Sequence, residues 1–200
     1  TRAVFSNSQG PKPTRDLFHP LGFPRLSPAE AAKTELANSL IDFSLEVLAA
    51  AAAVQVIGFL EFPEDLGATP RGVPASLWQL PALKNLAKGY VRGAFYQDKW
   101  ADVAYLKPTG LRTNAARIKD EKDFHVGWPR MSIDHKYIGP LPARSSPHPG
   151  LIGKDKSGNF RTGPSAAYPP GICMRFAKLL FQAGVDHICD GHSHGAPVDG

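Results

Sequence analysis

One stretch limits what this chain can become. In SPAEAAKTELANSLIDFSLEVLAAAAAVQVIGFLEF, residues 27–62, a long helical pattern runs almost directly into a short β-rich apolar one. Ser27 suits an N-cap, Pro28 the first helical position, and Glu30 completes a capping box. The pattern predicts a helix to about Ala53. Leu36, Leu40, Phe43 and Val47 fall at helical spacing, and Ile41, Leu45 and Leu48 widen that apolar face, which predicts packing on a sheet. A strand over Val56–Leu60 follows.

The alternation continues. PASLWQLPALKNLAKG carries Trp78, Leu80, Leu83 and Leu86 at the spacing of a short helix, entered or broken at Pro81 and stopped by Gly89. YVRGAFYQDKW is the next strand candidate. LKPTGLRTN reads as a strand interrupted at Pro108 or paired only at an edge. YPPGICMRFAKLLFQAG is a last helix, with Ile172, Phe176, Leu179 and Leu180 on its buried face and Gly184 as its C-cap. Helix and strand in alternation predict an α/β fold with a largely parallel sheet.

The size of 200 residues suits one such domain, or a large part of one, and 42% apolar residues can supply its core. The organisation predicted is a proline-rich extended arm over 1–26, a single α/β domain over 27–184 with a long polar loop or insert at 117–165, and a flexible tail at 185–200. With 19 prolines and 19 glycines, the connections are long and irregular. The net charge of +5 permits a polyanionic partner, but the basic residues are scattered and form no compact patch. Two cysteines, Cys173 and Cys189, are too few for a disulfide scaffold and suit a reducing, intracellular compartment. No uninterrupted apolar run is long enough for a membrane span, so no membrane partner is expected. The chain begins at Thr1 without an initiator Met, which reads as a fragment or a processed product.

The acids after the strand raise the question of function. A carboxylate at the end of a buried strand, Glu61, has the address of a ligand-binding group, because open α/β sheets bind ligands beyond the carboxyl ends of their strands. Its bland reading is a solvated strand terminus. No G-x-G-x-x-G follows a strand, and GKDKSGN lacks the spacing of a phosphate loop. His187, Cys189, Asp190, His192 and His194 crowd together and are residue types that bind zinc, yet no second ligand pair stands elsewhere at zinc-finger spacing. A polar tail with fortuitous histidines accounts for them, and no metal is assigned. No G-x-S-x-G elbow supports a serine nucleophile. Cys173, beside Ile172, reads as a core thiol. The aromatics of YVRGAFYQDKWADVAYLKP, mixed with Arg92, Lys99 and Lys107, could stack bases and meet phosphates, though strand aromatics more often form core.

Three stretches, in this order, resemble a known family. GFLEFPED, YQDKWADVAYLKPTGLRTN and SAAYPPGICMRFAKLL are similar to the later motifs of cytosine-C5 DNA methyltransferases, above all to divergent phage-type and retroelement- or dinoflagellate-type relatives. HPLGFPRLSPAEAAKTELANSL also resembles the link and helix that precede the glutamate strand there. The resemblance implies a partial Rossmann-like sheet of the S-adenosylmethionine methyltransferase type, flanked by helices. It makes Glu61 the catalytic carboxyl, with Gln97, Lys107 and Thr109 binding substrate and Tyr168-Pro169-Pro170 the third match. It further implies DNA as partner, a nuclear place if the target is DNA, and a cytosine flipped out of its helix. A carboxyl at N3 of the base assists thiolate attack on carbon 6, and carbon 5 then takes a methyl from the cofactor.

The departures are equally specific. No Pro-Cys loop lies between Thr1 and Ser27, no Gly-rich cofactor loop occurs, Phe62 stands where the family has Asn, and the Gln-x-Arg-x-Arg strand is missing. TRAVFSN resembles the segment just after the Pro-Cys loop. The resemblance therefore predicts a fragment or degenerate copy, inactive alone, with S-adenosylmethionine bound only in a full-length parent. The alternative is a non-enzymatic nucleic-acid-binding module derived from a mobile element.

Overall fold

The structure, a computed structural model, describes residues 12–69, 72–86, 89–143, 148–151, 156–159, 162–163, 165 and 167–192, the side chains of 187–192 excepted. The first helix, α1, spans Pro28–Ala53. Its N-terminus is capped as the sequence predicts: the Glu30 amide donates to Ser27 Oγ, and the Glu30 carboxylate accepts from the Ser27 amide at 3.0 Å and from its hydroxyl at 2.7 Å. Ser27→Ala should lower the unfolding free energy by about 1 kcal/mol, measured by urea denaturation.

The apolar surface of α1 is two faces, where the sequence reading expected one. Ile41 and Leu45 pack toward Trp78 and Leu83, and Leu48 is buried. Leu36, Leu40, Phe43 and Val47 lie on the other side, in solvent. With apolar residues on both sides, α1 is long and apolar enough to cross a membrane by length and composition, although no unbroken apolar run announced it.

Four strands form the main sheet: β1 (Phe59–Pro63), β2 (Val91–Tyr96), β3 (Pro108–Thr113) and β4 (His125–Val126), in the order β1-β3-β2-β4. Every neighbouring pair is antiparallel. This corrects the largely parallel sheet expected from the sequence, and with it the simple Rossmann-like arrangement. The reason lies in the connection between β2 and β3. It holds a single helical turn, α3 (Gln97–Trp100), too little for the helical crossover that parallel neighbours require. The longer connection from β1 to β2, with a 3₁₀ turn at Leu77–Gln79 and the short α2 (Pro81–Lys84), lets these two strands run the same way with the reversed β3 between them.

β1 begins three residues later than predicted and ends on Pro63; its outer edge pairs with no strand among the described residues. Pro108 does not interrupt β3. It is the first residue of a central strand, a position that tolerates the missing N–H, as the end of edge strand β1 tolerates Pro63.

Both faces of the sheet are covered. On one, Phe95, Leu111, Ile118 and Trp100 pack against Ile172 and Leu179 of the last helix, α4 (Pro170–His192). On the other, Leu60 and Phe62 meet Trp78, Leu83 and α1. The sheet is approached so closely that a Cβ on Gly93 would lie 2.5 Å from the Phe124 ring, and one on Gly110 would lie 2.7 Å from Trp78. A separate hairpin joins β5 (Arg130–Met131) to β6 (Tyr137–Gly139). Thus the 117–165 segment contributes β4 to the main sheet and a hairpin of its own. α4 continues through Gly184, the predicted stop, into the predicted tail, where Asp186 takes a two-pronged contact from Arg117 at 2.5 and 2.8 Å. The arm is anchored as well: the Arg15 guanidinium donates to the Thr34 carbonyl at 3.1 Å, and the Leu17 amide to Val73 at 3.0 Å.

Candidate functional site

Glu61 is the central residue of β1, opposite Leu111 of β3, and not a strand terminus. The pairing turns its side chain to the α4 side of the sheet, where Phe59, two residues before it, meets Phe176 in a tilted contact with centroids 5.2 Å apart. Its Oε1 is buried and has no hydrogen-bond partner among the described residues. The hydroxyl of Tyr168, two residues before α4, lies beside the carboxylate. Burial, and then the hydrogen bond and negative charge of Glu61, push that phenol far above its ordinary range. The Tyr168 ring leans on Phe176 with centroids 6.3 Å apart and is 41% exposed.

Lys107 closes the other side. Its Nζ lies 5.9 Å from the centre of the Tyr168 ring and donates to the Ser165 carbonyl at 3.3 Å. One step along β3, Thr109 Oγ1 accepts from Gln97 Nε2 at 3.1 Å, and the Tyr105 hydroxyl donates to Gln97 Oε1 at 3.4 Å. Gln97 and Thr109 are both fully buried. The fold therefore joins all the predicted residues in one chain of contacts, Glu61 to Tyr168 to Lys107, with Thr109 and Gln97 behind. It gives them unequal parts: Glu61, Tyr168 and Lys107 border solvent, while Gln97 and Thr109 hold the start of β3 and touch no surface.

Two sequence readings change here. Cys173 is exposed, its thiol 3.9 Å from the Tyr168 carbonyl; Ile172 takes the core position and one helical step turns Cys173 outward. The aromatic and basic mixture around β2 is no base-stacking surface either. Phe95 and Trp100 stack on each other at 3.9 Å inside the core, and Arg92 is 4% exposed. Lys99 alone of that group's basic residues is exposed outright. Of the candidate metal ligands, His187, Cys189, Asp190 and His192 have side chains outside the description, and His194 lies outside the described residues. No cluster of three or more such ligands occurs among the described ones.

The sequence reading missed a second polar centre. Glu64, just past the end of β1, is fully buried and paired with the guanidinium of Arg92 through both carboxylate oxygens. The Tyr137 hydroxyl donates to Glu64 Oε1 at 2.9 Å and accepts from the Leu141 amide at 3.0 Å. Arg92 also donates to the Gly127 carbonyl at 2.7 Å and lies over Trp78 at 4.5 Å and Trp128 at 5.8 Å. Arg112 continues the stack over Trp128 at 5.1 Å. Burial raises the Glu64 carboxyl above its ordinary range against the pull of Arg92 and Tyr137. The signal was present in FPED: of its two acids, Glu64 rather than Glu61 stands beyond the strand's carboxyl end. Its partner Arg92, the second residue of β2, lies on the Trp78 face of the sheet.

Compared with known proteins, the chain matches no family model, no curated protein and no solved structure.

Proposed function

We propose that this chain is a fragment or degenerate copy of a methyltransferase-like domain acting on cytosine in nucleic acid, and that it does not catalyse methyl transfer by itself. The observation that carries the reading is the convergence on Glu61. Residues from all three stretches that resemble the cytosine-C5 methyltransferases lie in one chain of contacts, Lys107 at the Tyr168 ring and Tyr168 at Glu61, whose Oε1 is buried without a hydrogen-bond partner among the described residues.

In this reading Glu61 takes the Watson–Crick edge of a flipped cytosine, giving a proton toward N3 or accepting from the exocyclic amine. Tyr168 stands aside or stacks on the base, and Lys107 meets a phosphate. The described residues form no cradle for S-adenosylmethionine: buried Glu64 and Asp65 fill the turn after β1, and no Gly-rich turn follows β2. No step here runs through that cofactor. A parent protein would have to supply its site and the cysteine nucleophile.

In an active parent, Glu61→Gln should cost at least about a hundredfold in 5-methylcytosine formation, the low end for an acid–base group. A nearly unchanged rate would sink the role. The chain alone offers a parallel test by fluorescence anisotropy with oligo(dC) and oligo(dT). A preference for dC that Glu61→Gln abolishes supports the reading. Salt-dependent binding that ignores the base would favour the non-enzymatic module instead.

A further inference from the structure

α1 has an outer face that no element among the described residues covers. Opposite the side that packs on the sheet, Leu36, Leu40, Phe43, Val47, Ala50 and Val54 are all exposed; the fractional exposures of Leu36, Phe43 and Val54 reach 63, 63 and 69%. The steps between them are four, three, four, three and four residues. That is a seven-residue repeat, the narrow seam one helix offers to another. Ala37, Ser44 and Ala51 border the seam, small enough for a second backbone to come close.

The spacing reads the same in both directions. We propose that this face packs against α1 of a second copy of the chain, antiparallel, about a two-fold axis level with Leu45. That register sets Leu36 against Val54, Leu40 against Ala50 and Phe43 against Val47. Each larger side chain meets a smaller one, and every contact occurs twice, as a self-complementary two-fold interface requires. The register sets Glu46 of each copy beside its mate across the axis, a like-charged pair at the solvent edge of the seam that opposes association, while Glu35 lies level with Gln55. Antiparallel axes also bring opposite helix-dipole ends together. The exposed apolar side chains offer on the order of 600 Å² per copy. That is at the upper limit of what a monomer leaves open and close to the roughly 800 Å² per partner of a specific interface. The face points away from the sheet and from Glu61, so this inference stands apart from the function proposed above.

Sedimentation equilibrium of the full chain from about 1 to 100 µM tests it. The expected result is a monomer–dimer equilibrium that Leu40→Glu weakens by at least about a hundredfold, since the lost anchor occurs twice per interface. Far-UV circular dichroism should be unchanged in that variant, because Leu40 is exposed in the protomer. Leu40→Ala should weaken the dimer, and Leu40→Ala combined with Ala50→Leu should restore it, because the exchange rebuilds the same pair across the axis. A monomer at every concentration, or a dimer indifferent to Leu40→Glu, overturns the proposal, and failure of the exchange to restore overturns the antiparallel register. A monomer that binds phosphatidylcholine vesicles through this face would overturn it in favour of a membrane surface.

Discussion

Replacing Arg92 by methionine lowers the unfolding free energy by about 3–5 kcal/mol at neutral pH, the usual cost of stranding one partner of a buried ion pair. Glu64 has no exposed surface to which its charge could escape, and Tyr137 offers it a single hydroxyl. The pH dependence identifies the cause. Burial raises the folded-state carboxyl of Glu64 above its unfolded value, so the folded chain keeps a proton that the unfolded chain has lost. The stability due to that group is complete below the unfolded carboxyl value of about 4.3 and is lost as pH rises through the folded value. Removing Arg92 removes an opposing pull and raises the folded value further. The variant should therefore recover toward wild type on acidification from neutral pH, and adding Glu64→Gln should recover most of the loss at neutral pH. Denaturant unfolding at several pH values measures all three. A variant as stable as wild type at neutral pH would mean that water reaches the Glu64 carboxylate.

Trp78→Ala should be comparably severe, about 3–5 kcal/mol for a buried aromatic truncated to alanine. Trp78 is 1% exposed and joins several structures at once. Its indole N–H donates to the Pro63 carbonyl at 3.0 Å, its edge meets Phe62 and Trp128, and its face carries the Arg92 guanidinium. Truncation would open a cavity in the α1-facing layer and unroof the buried ion pair together. Trp78→Phe retains most of the ring and loses the hydrogen bond, and should cost about 1–2 kcal/mol. Guanidinium-chloride unfolding followed by far-UV circular dichroism separates the two. A loss under about 1 kcal/mol for the alanine variant would place the weight of that layer elsewhere.

Local signals carried much of this fold. The Ser27–Glu30 box and the end of α1 at Ala53 stand where the residues put them, because capping and helical period are settled within a few residues. Pairing was not legible in the same way. Periodicity says that a strand exists but not which way its neighbour runs, and the clue lay in the short 97–107 connection rather than in any strand. Glu61 was located to the right strand, but three residues of misplaced boundary made a mid-strand group look terminal. Arg92 looked like a phosphate ligand because the sequence shows a charge and not the Glu64 that neutralises it. Tyr168 entered only through the proline-rich turn that resembles the family. Nothing in its surroundings in sequence announces a carboxylate more than a hundred positions away.

The placement of β3 between β1 and β2 sets an order on synthesis. β1 and β2 leave the ribosome first, yet they share no hydrogen bond, because each pairs with β3. Until Thr113 has emerged, the chain holds two strands with nothing to join them, and a nascent product cut before Pro108 has no main sheet to form. Helix α1 can wind early on its capped end, and the Trp78 and Leu83 it packs on are made before β3, but the sheet they cover is not. The domain should therefore appear all at once, late in translation, and resist dissection into smaller folding pieces.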